Sequence, residues 1–134
     1  MASASELLDR WVSSVNNGQM ESFEAFMAPT AMTDEIGTGR KLDVKESTQA
    51  AKAWRIAFPD VQGAITNRIS DGNQAVGEII WTGTNTGSLD GMPATGKPVQ
   101  VRAVAVLLED AGRTAQIRHY IDIAGMREQL EGTR

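Results

Sequence analysis

The sequence predicts an α+β domain in which N-terminal helices cover a mainly antiparallel sheet. Before Pro59, apolar residues recur at the spacing of helical turns, and after it they alternate with the period of two that strands require. Turn-forming tripeptides, Asp71-Gly72-Asn73 and Asp110-Ala111-Gly112, separate consecutive strand-like segments, so these neighbours should pair antiparallel. This order along the sequence, helices first and a meandering sheet second, is typical of an α+β fold with its helices on one face.

Composition limits the number of domains and the classes of function. The 134 residues fit one domain, residues 1–134, with a single core. A net charge of -4 with scattered Lys and Arg argues against a nucleic-acid partner. The chain has no Cys and one His, which excludes thiolate catalysis, Cys-ligated zinc and any site that needs two histidines. We therefore expect no metal site.

The N-terminal residues and the hydropathy pattern indicate the compartment. The chain begins without a basic region followed by an apolar segment, and no stretch approaches the roughly 18 apolar residues of a membrane span. We expect a cytoplasmic protein with no membrane partner.

Three helices are expected before Pro59. Helical spacing predicts the first from about Ser5 to Val15, ended by Asn16-Asn17-Gly18, and a short second one at about Met20–Met27. The third, about Val44–Phe58, ends where Pro59 prevents continuation. Between the second and third helices, residues 30–40 show little periodicity and are read as a loop or short edge strand. Its polar members are expected at the mouth of a pocket: Thr33, Asp34 and Glu35.

Four strands are expected after Pro59, at about Val61–Ser70, Gln74–Thr84, Val99–Glu109 and Arg113–Asp122. In the third of these, the segment from Arg102 to Leu108 is apolar on both alternating sets, whereas a strand with one wet face should alternate. A partner subunit would cover the second face, and we therefore predict a homodimer or a higher homo-oligomer.

A glycine-rich segment, Gly83 to Gly96, lies between the second and third of these strands. Gly91 to Lys97 has the spacing of a phosphate-binding loop, but Pro98 stands where the magnesium-binding hydroxyl is needed, and a strand follows instead of a helix. We interpret the segment, with Met92, as a long connection overhanging a binding site. Asn85 either forms a turn or donates a hydrogen bond into the pocket.

Asp122 is the main candidate for catalysis. It suits the N-cap of a following helix, and in an apolar cavity it would instead be a general base. By strand parity it shares a face with Arg118 and Tyr120, which could stabilise an enolate or donate to a carbonyl, or the whole set faces solvent. His119 lies on the opposite face as a catalytic or structural histidine. Trp54 and Trp81 either fill the core or border a planar ligand.

Several segments, taken in order from about Glu6 to Leu130, resemble the SnoaL-like polyketide cyclases. They are Phe58-Pro59-Asp60, Gly83-Thr84-Asn85-Thr86-Gly87, Gly91-Met92-Pro93-Ala94-Thr95-Gly96, and Asp122 with Gly125 before Gln129-Leu130. The resemblance implies the cone-shaped α+β fold of nuclear transport factor 2 and ketosteroid isomerase, in which a curved sheet encloses an apolar cavity.

The resemblance also implies a chemistry without metal or organic cofactor. Asp122 would be the general base of an intramolecular aldol cyclisation, and Arg118 falls where some of these cyclases carry Arg. The chain departs from the family at Asn85, where His is usual, and at Val106 and Leu108, where polar residues are usual. The substrate is accordingly expected to be a small hydrophobic or aromatic carbonyl compound. Two alternatives stay open: an epoxide hydrolase or dehydratase, and a non-catalytic module that binds a small ligand.

Overall fold

The computed structural model describes residues 1–89 and 91–132, which form helices on the concave side of a curved sheet. The helices are α1 (Ala4–Asn16), α2 (Met20–Phe23, followed by a 3-10 turn, Glu24–Phe26), α3 (Val44–Ala57) and α4 (Ile123–Glu131). The strands are β1 (Met27–Ile36), β2 (Arg40–Leu42), β3 (Gln62–Asp71), β4 (Gln74–Thr84), β5 (Pro98–Asp110) and β6 (Arg113–Ile121).

The six strands form one open sheet in the order β2-β1-β6-β5-β4-β3. Every neighbouring pair is antiparallel except β1 and β6, which run parallel. The predicted α+β class and the antiparallel pairing from β3 to β6 are therefore confirmed. The parallel pair joins the N-terminal third of the chain to its last strand, so it places distant residues side by side.

Local capping explains where the two long helices begin. The Ser3 side chain accepts a hydrogen bond from the amide of Glu6 and starts α1. Asp43 and Glu46 form a reciprocal capping box at the start of α3. Within the chain that the structure describes, no helix is both long and apolar enough to span a bilayer.

The prediction for residues 30–40 was wrong. Residues Met27–Ile36 form a ten-residue strand inside the sheet, and only the three residues of β2 occupy the edge. The inward-facing residues of β1 recur at every second position, as in any strand, but they change from apolar Ala31 to polar Thr33 and Glu35. All three are buried. A strand whose inner face is polar lacks the apolar alternation by which strands are recognised.

Two apolar clusters fill the space between the helices and the sheet. The larger surrounds Leu7 and Leu8 of α1, and the smaller lies under α4 around Phe58. Trp81 packs against both clusters. The clusters leave a cavity between them, and it contains the candidate site.

The outer face of the sheet carries an apolar surface that is relevant to assembly. Val104, Val106 and Leu108 of β5 point outward and are half-buried. Beside them on β6 and β1, Tyr120 and Ile36 are 42% and 37% exposed. The homodimer stays a prediction, and this face is where we expect the partner.

We expect Val106→Lys to convert a dimer into a monomer, because the ammonium group would be desolvated in the apolar interface and its register partner, Arg118, carries the same charge. Light scattering coupled to size exclusion at micromolar concentration measures the mass. Gln49→Lys on the exposed surface of α3 adds the same charge away from the sheet and should leave the mass unchanged. A parent protein with the mass of a single chain would contradict the prediction.

Candidate active site

The cavity lies between α1, α3 and the inner face of the sheet, with a volume of about 110 Å³. Its walls are mostly apolar and aromatic, with a few polar side chains grouped on β1, α3 and β6. The lining includes Trp11, Val15, Met20, Thr33, Glu35, Leu42, Ser47, Trp54, Phe58, Trp81, Val101, His119, Ile121 and Met126. An apolar pocket with few polar groups is typical of sites that bind small organic molecules.

Glu35 is a carboxylate buried in this wall, only 5% exposed. Its Oε1 accepts from Nη2 of Arg40 at 2.6 Å, from Nε of Arg40 at 3.0 Å and from the hydroxyl of Thr38 at 2.7 Å. Its Oε2 accepts a longer hydrogen bond of 3.3 Å from the indole N–H of Trp54. A buried charge is expensive unless it is paired, and Arg40 provides the pairing. Oε2 is therefore the oxygen with capacity left for a ligand.

A tight turn produces the pairing of Glu35 with Arg40. Gly37 and Gly39 adopt positive φ angles of 121° and 78°, which reverse the chain between β1 and β2. The register then sets Glu35 directly opposite Arg40. The local sequence thus supplies both the acid and its counter-charge.

His119 is the partner of Glu35 in the parallel β1–β6 register. It is buried, and its Nε2 accepts a hydrogen bond of 3.1 Å from the indole N–H of Trp81. An indole N–H only donates, so the neutral imidazole carries its proton on Nδ1. Among residues 1–89 and 91–132, Nδ1 has no hydrogen-bond partner.

Burial lowers the pKa of His119 to about 4, although the negative charge of Glu35 acts in the opposite direction. The imidazole is therefore neutral at pH 7. The site combines a charged acceptor, Glu35, with a neutral donor, His119, on adjacent strands.

Of the residues predicted on β1, Thr33 lines the cavity and Asp34 does not. The Thr33 hydroxyl accepts from Ser47 of α3 at 2.9 Å, both side chains being buried. Asp34 points to the outer face, where Gln116 donates to it at 3.4 Å.

Asp122 lies outside the cavity lining and is exposed. Its Oδ1 accepts a hydrogen bond of 2.9 Å from the amide of Gly125, which makes it the N-cap of α4. Tyr120 and Arg118 share its side of the sheet, and Arg118 donates to Gln116 at 3.1 Å. The structure thus separates these three residues from His119. The role of Asp122 as a base stays a prediction.

Asn85 and Met92 belong to the connection between β4 and β5. Asn85 is buried, and it donates to the carbonyls of Ala57 and Gly87 and accepts from the amide and hydroxyl of Thr95. These four bonds hold the connection in shape. Met92 is 40% exposed and does not belong to the cavity lining.

Trp54 and Trp81 do border the cavity, where their indole N–H groups donate to Glu35 and His119.

Sequence reasoning placed Glu35 only at a pocket mouth and missed Arg40 and Ser47. The signal for Glu35 was its place in the series Ala31, Thr33, Glu35, which has the period of two of a strand, and its position before the glycine turn. In the described part of the chain, no three His, Asp or Glu side chains are grouped as metal ligands.

A curved sheet that wraps helices around an apolar cavity defines the ketosteroid isomerase-like class of folds. Within this class, the chain belongs to the SnoaL-like polyketide cyclase family, whose profile matches residues 5–130. Family membership supports a cyclase-like function. No curated protein matches the sequence significantly.

Solved structures show the same fold at low identity. A protein from Jannaschia sp. CCS1, provisionally described as a SnoaL-like polyketide cyclase, is 16% identical with a TM-score of 0.87, over 98% of this chain and 93% of its own. A provisionally described polyketide cyclase from Acidithiobacillus ferrooxidans is 29% identical with a TM-score of 0.83, over 98% and 96%. A ketosteroid isomerase-like protein from Catenulispora acidiphila, solved in complex with trimethylamine, is 12% identical with a TM-score of 0.80, over 94% and 92%.

Protonation of His119 should weaken the fold in acid. Its pKa is lowered from 6.5 to about 4 on folding, so the unfolded chain binds more protons between these values and stability rises with pH across that window. Relative to His119→Gln, the parent should lose about 3 kcal/mol of unfolding free energy between pH 7 and pH 4.

Urea unfolding followed by tryptophan fluorescence at pH 7, 5.5 and 4 measures this difference. Because the two proteins differ only at residue 119, the pH dependence that they share cancels in the comparison. Equal pH dependence of the parent and His119→Gln would contradict the lowered pKa of the histidine.

Proposed function

We propose that the protein is a cofactor-independent cyclase or isomerase-like enzyme that enolises a small hydrophobic or aromatic carbonyl compound in this cavity. One observation carries the proposal: a buried carboxylate and a neutral histidine donor are register partners in an apolar pocket. General-base catalysis needs an acceptor for a proton next to a carbonyl, and a donor where the negative charge develops.

In the proposed step, Oε2 of Glu35 takes a proton from the carbon next to a carbonyl. The electrons of the broken C–H bond move to the carbonyl oxygen, where the Nδ1–H of His119 stabilises the enolate. A neutral imidazole is suited to this task, because its remaining N–H can donate a hydrogen bond to the oxygen where the negative charge develops. In a cyclase, the enolate carbon then attacks a second carbonyl in the same molecule, which closes a ring. The π electrons of that carbonyl move to its oxygen, and the alkoxide so formed takes up the proton that Glu35 removed.

Asp122 is the alternative base, and the family resemblance is the reason to keep it. Its exposed position at the end of β6 lies outside the cavity lining, whereas a general base must be within hydrogen-bond reach of the proton that it removes from a substrate in the cavity. The burial of Glu35 beside His119 therefore favours Glu35 as the base. Both assignments predict the same class of reaction.

Hydrogen–deuterium exchange tests enolisation without knowledge of the natural substrate. In D2O, the parent should accelerate exchange next to the carbonyl of 2-tetralone, a compact aromatic ketone, as followed by proton NMR. Glu35→Gln should lower the catalysed rate about 10²-fold or more, because a positioned base supplies that much. Asp122→Asn is the matched control and should stay within about threefold of the parent.

The opposite pattern would move the base to Asp122. If Asp122→Asn abolishes exchange while Glu35→Gln stays within about threefold, the assignment to Glu35 is wrong. Circular dichroism of both variants checks that the fold is intact, since Glu35→Gln also removes the partner of Arg40.

Hydrolysis, dehydration and simple binding are the alternatives to enolisation. The related fold also supports epoxide hydrolases, which would incorporate oxygen from labelled water into an epoxide such as styrene oxide. A non-catalytic module would bind 2-tetralone, seen as a raised melting temperature, without exchanging its protons. The open cavity between Trp54 and Trp81 is compatible with binding in either case.

A further inference from the structure

The indole of Trp81 determines which nitrogen of His119 carries the proton. Its Nε1 lies 3.1 Å from Nε2 of the imidazole, and indole N–H groups donate but cannot accept. Without such a partner, a neutral imidazole can place its proton on either nitrogen. The hydrogen bond therefore selects the form with the proton on Nδ1.

The position of this indole is itself restrained. Gly63 is the register partner of Trp81 across β3 and β4, and a Cβ at residue 63 would overlap the indole ring. On another side, the Trp11 ring meets it nearly at right angles, with centroids 6.0 Å apart. Glycine on one side and an aromatic edge on the other keep the N–H directed at His119.

We propose that Trp81 is a positioning residue that fixes His119 as a hydrogen-bond donor toward the cavity. This inference rests on the proposed function, because it is the enolate oxygen that would receive the Nδ1–H. It goes beyond that function by assigning His119 one role: with Nε2 engaged by Trp81, the histidine donates and does not act as the base. The proton acceptor must then be a different group.

The sole histidine of the chain makes the tautomer directly measurable. In uniformly 15N-labelled parent protein at pH 7, Nδ1 should show the protonated type of 15N shift and Nε2 the unprotonated type. A scalar coupling across the hydrogen bond should connect Nε2 with the indole Nε1 of Trp81. Protonation on Nε2 in the parent would overturn the inference, whatever the variants do.

Trp81→Phe keeps an aromatic ring but removes the N–H, so the two 15N shifts should move toward each other as both tautomers become populated. Trp11→Phe is the matched control. Trp11 contacts the same imidazole, with centroids 4.9 Å apart and planes at 88°, but no hydrogen bond joins it to His119 in the described structure. Because Phe at residue 11 also keeps an aromatic ring beside the Trp81 indole, the control should keep the parent tautomer. Unchanged shifts in Trp81→Phe would overturn the inference.

Kinetics then separate positioning from binding. With 2-tetralone exchange as the assay, Trp81→Phe should lower kcat in proportion to the fraction of imidazoles that keep the proton on Nδ1, about twofold if both tautomers are equally populated, with little change in KM. An unchanged kcat despite a changed tautomer would also overturn the inference. A parent that shows the predicted tautomer but exchanges no ketone would contradict the proposed function alone, since the NMR assignment does not depend on turnover.

Discussion

A buried negative charge sets the conditions for the whole cavity. The carboxylate of Glu35 is removed from water, and such a group is stable only where a counter-charge and hydrogen bonds replace its hydration. Thr38, Arg40 and Trp54 provide these contacts from the β1–β2 turn, from β2 and from α3. The edge hairpin and the third helix are therefore held to the same point on β1. Hydrogen bonds and an ion pair therefore hold the cavity wall together there, in addition to apolar packing.

The second polar group, His119, is also removed from water, but it differs from Glu35 in its charge. It stays uncharged, because burial opposes its protonation more strongly than Glu35 favours it. The two strands thus bring together one ion, Glu35, and one neutral dipole, His119. In apolar surroundings, a directed donor and acceptor interact more strongly with a ligand than they would in water. The tryptophans complete the arrangement, since each contributes both apolar wall and one N–H.

Family membership and residue chemistry answer different questions about this protein. The shared cone fold, retained at 12–29% identity, explains the cavity, because the curved sheet and its helices create it. A fold of this kind supports many reactions, and the chemistry depends on the few side chains that reach the interior. In this chain those side chains include Glu35 and His119, whereas Asp122 ends its strand on the outside and begins α4.

The sequence by itself determined the elements whose signals are local. Periodicity and turn residues predicted β4 at Gln74–Thr84 as observed, and α3 to within one residue at its end. Parity on the last strand separated His119 from Tyr120 and Asp122, but it could not say which group faces inward. That choice belongs to the tertiary structure, because it depends on where the helices lie. The pairing of Glu35 with His119 could not be predicted from the sequence either. It arises from a parallel contact between two strands that are far apart in the sequence. The inner face of β1 is polar, so its sequence pattern is similar to that of a loop, and only the cavity that it lines explains this pattern.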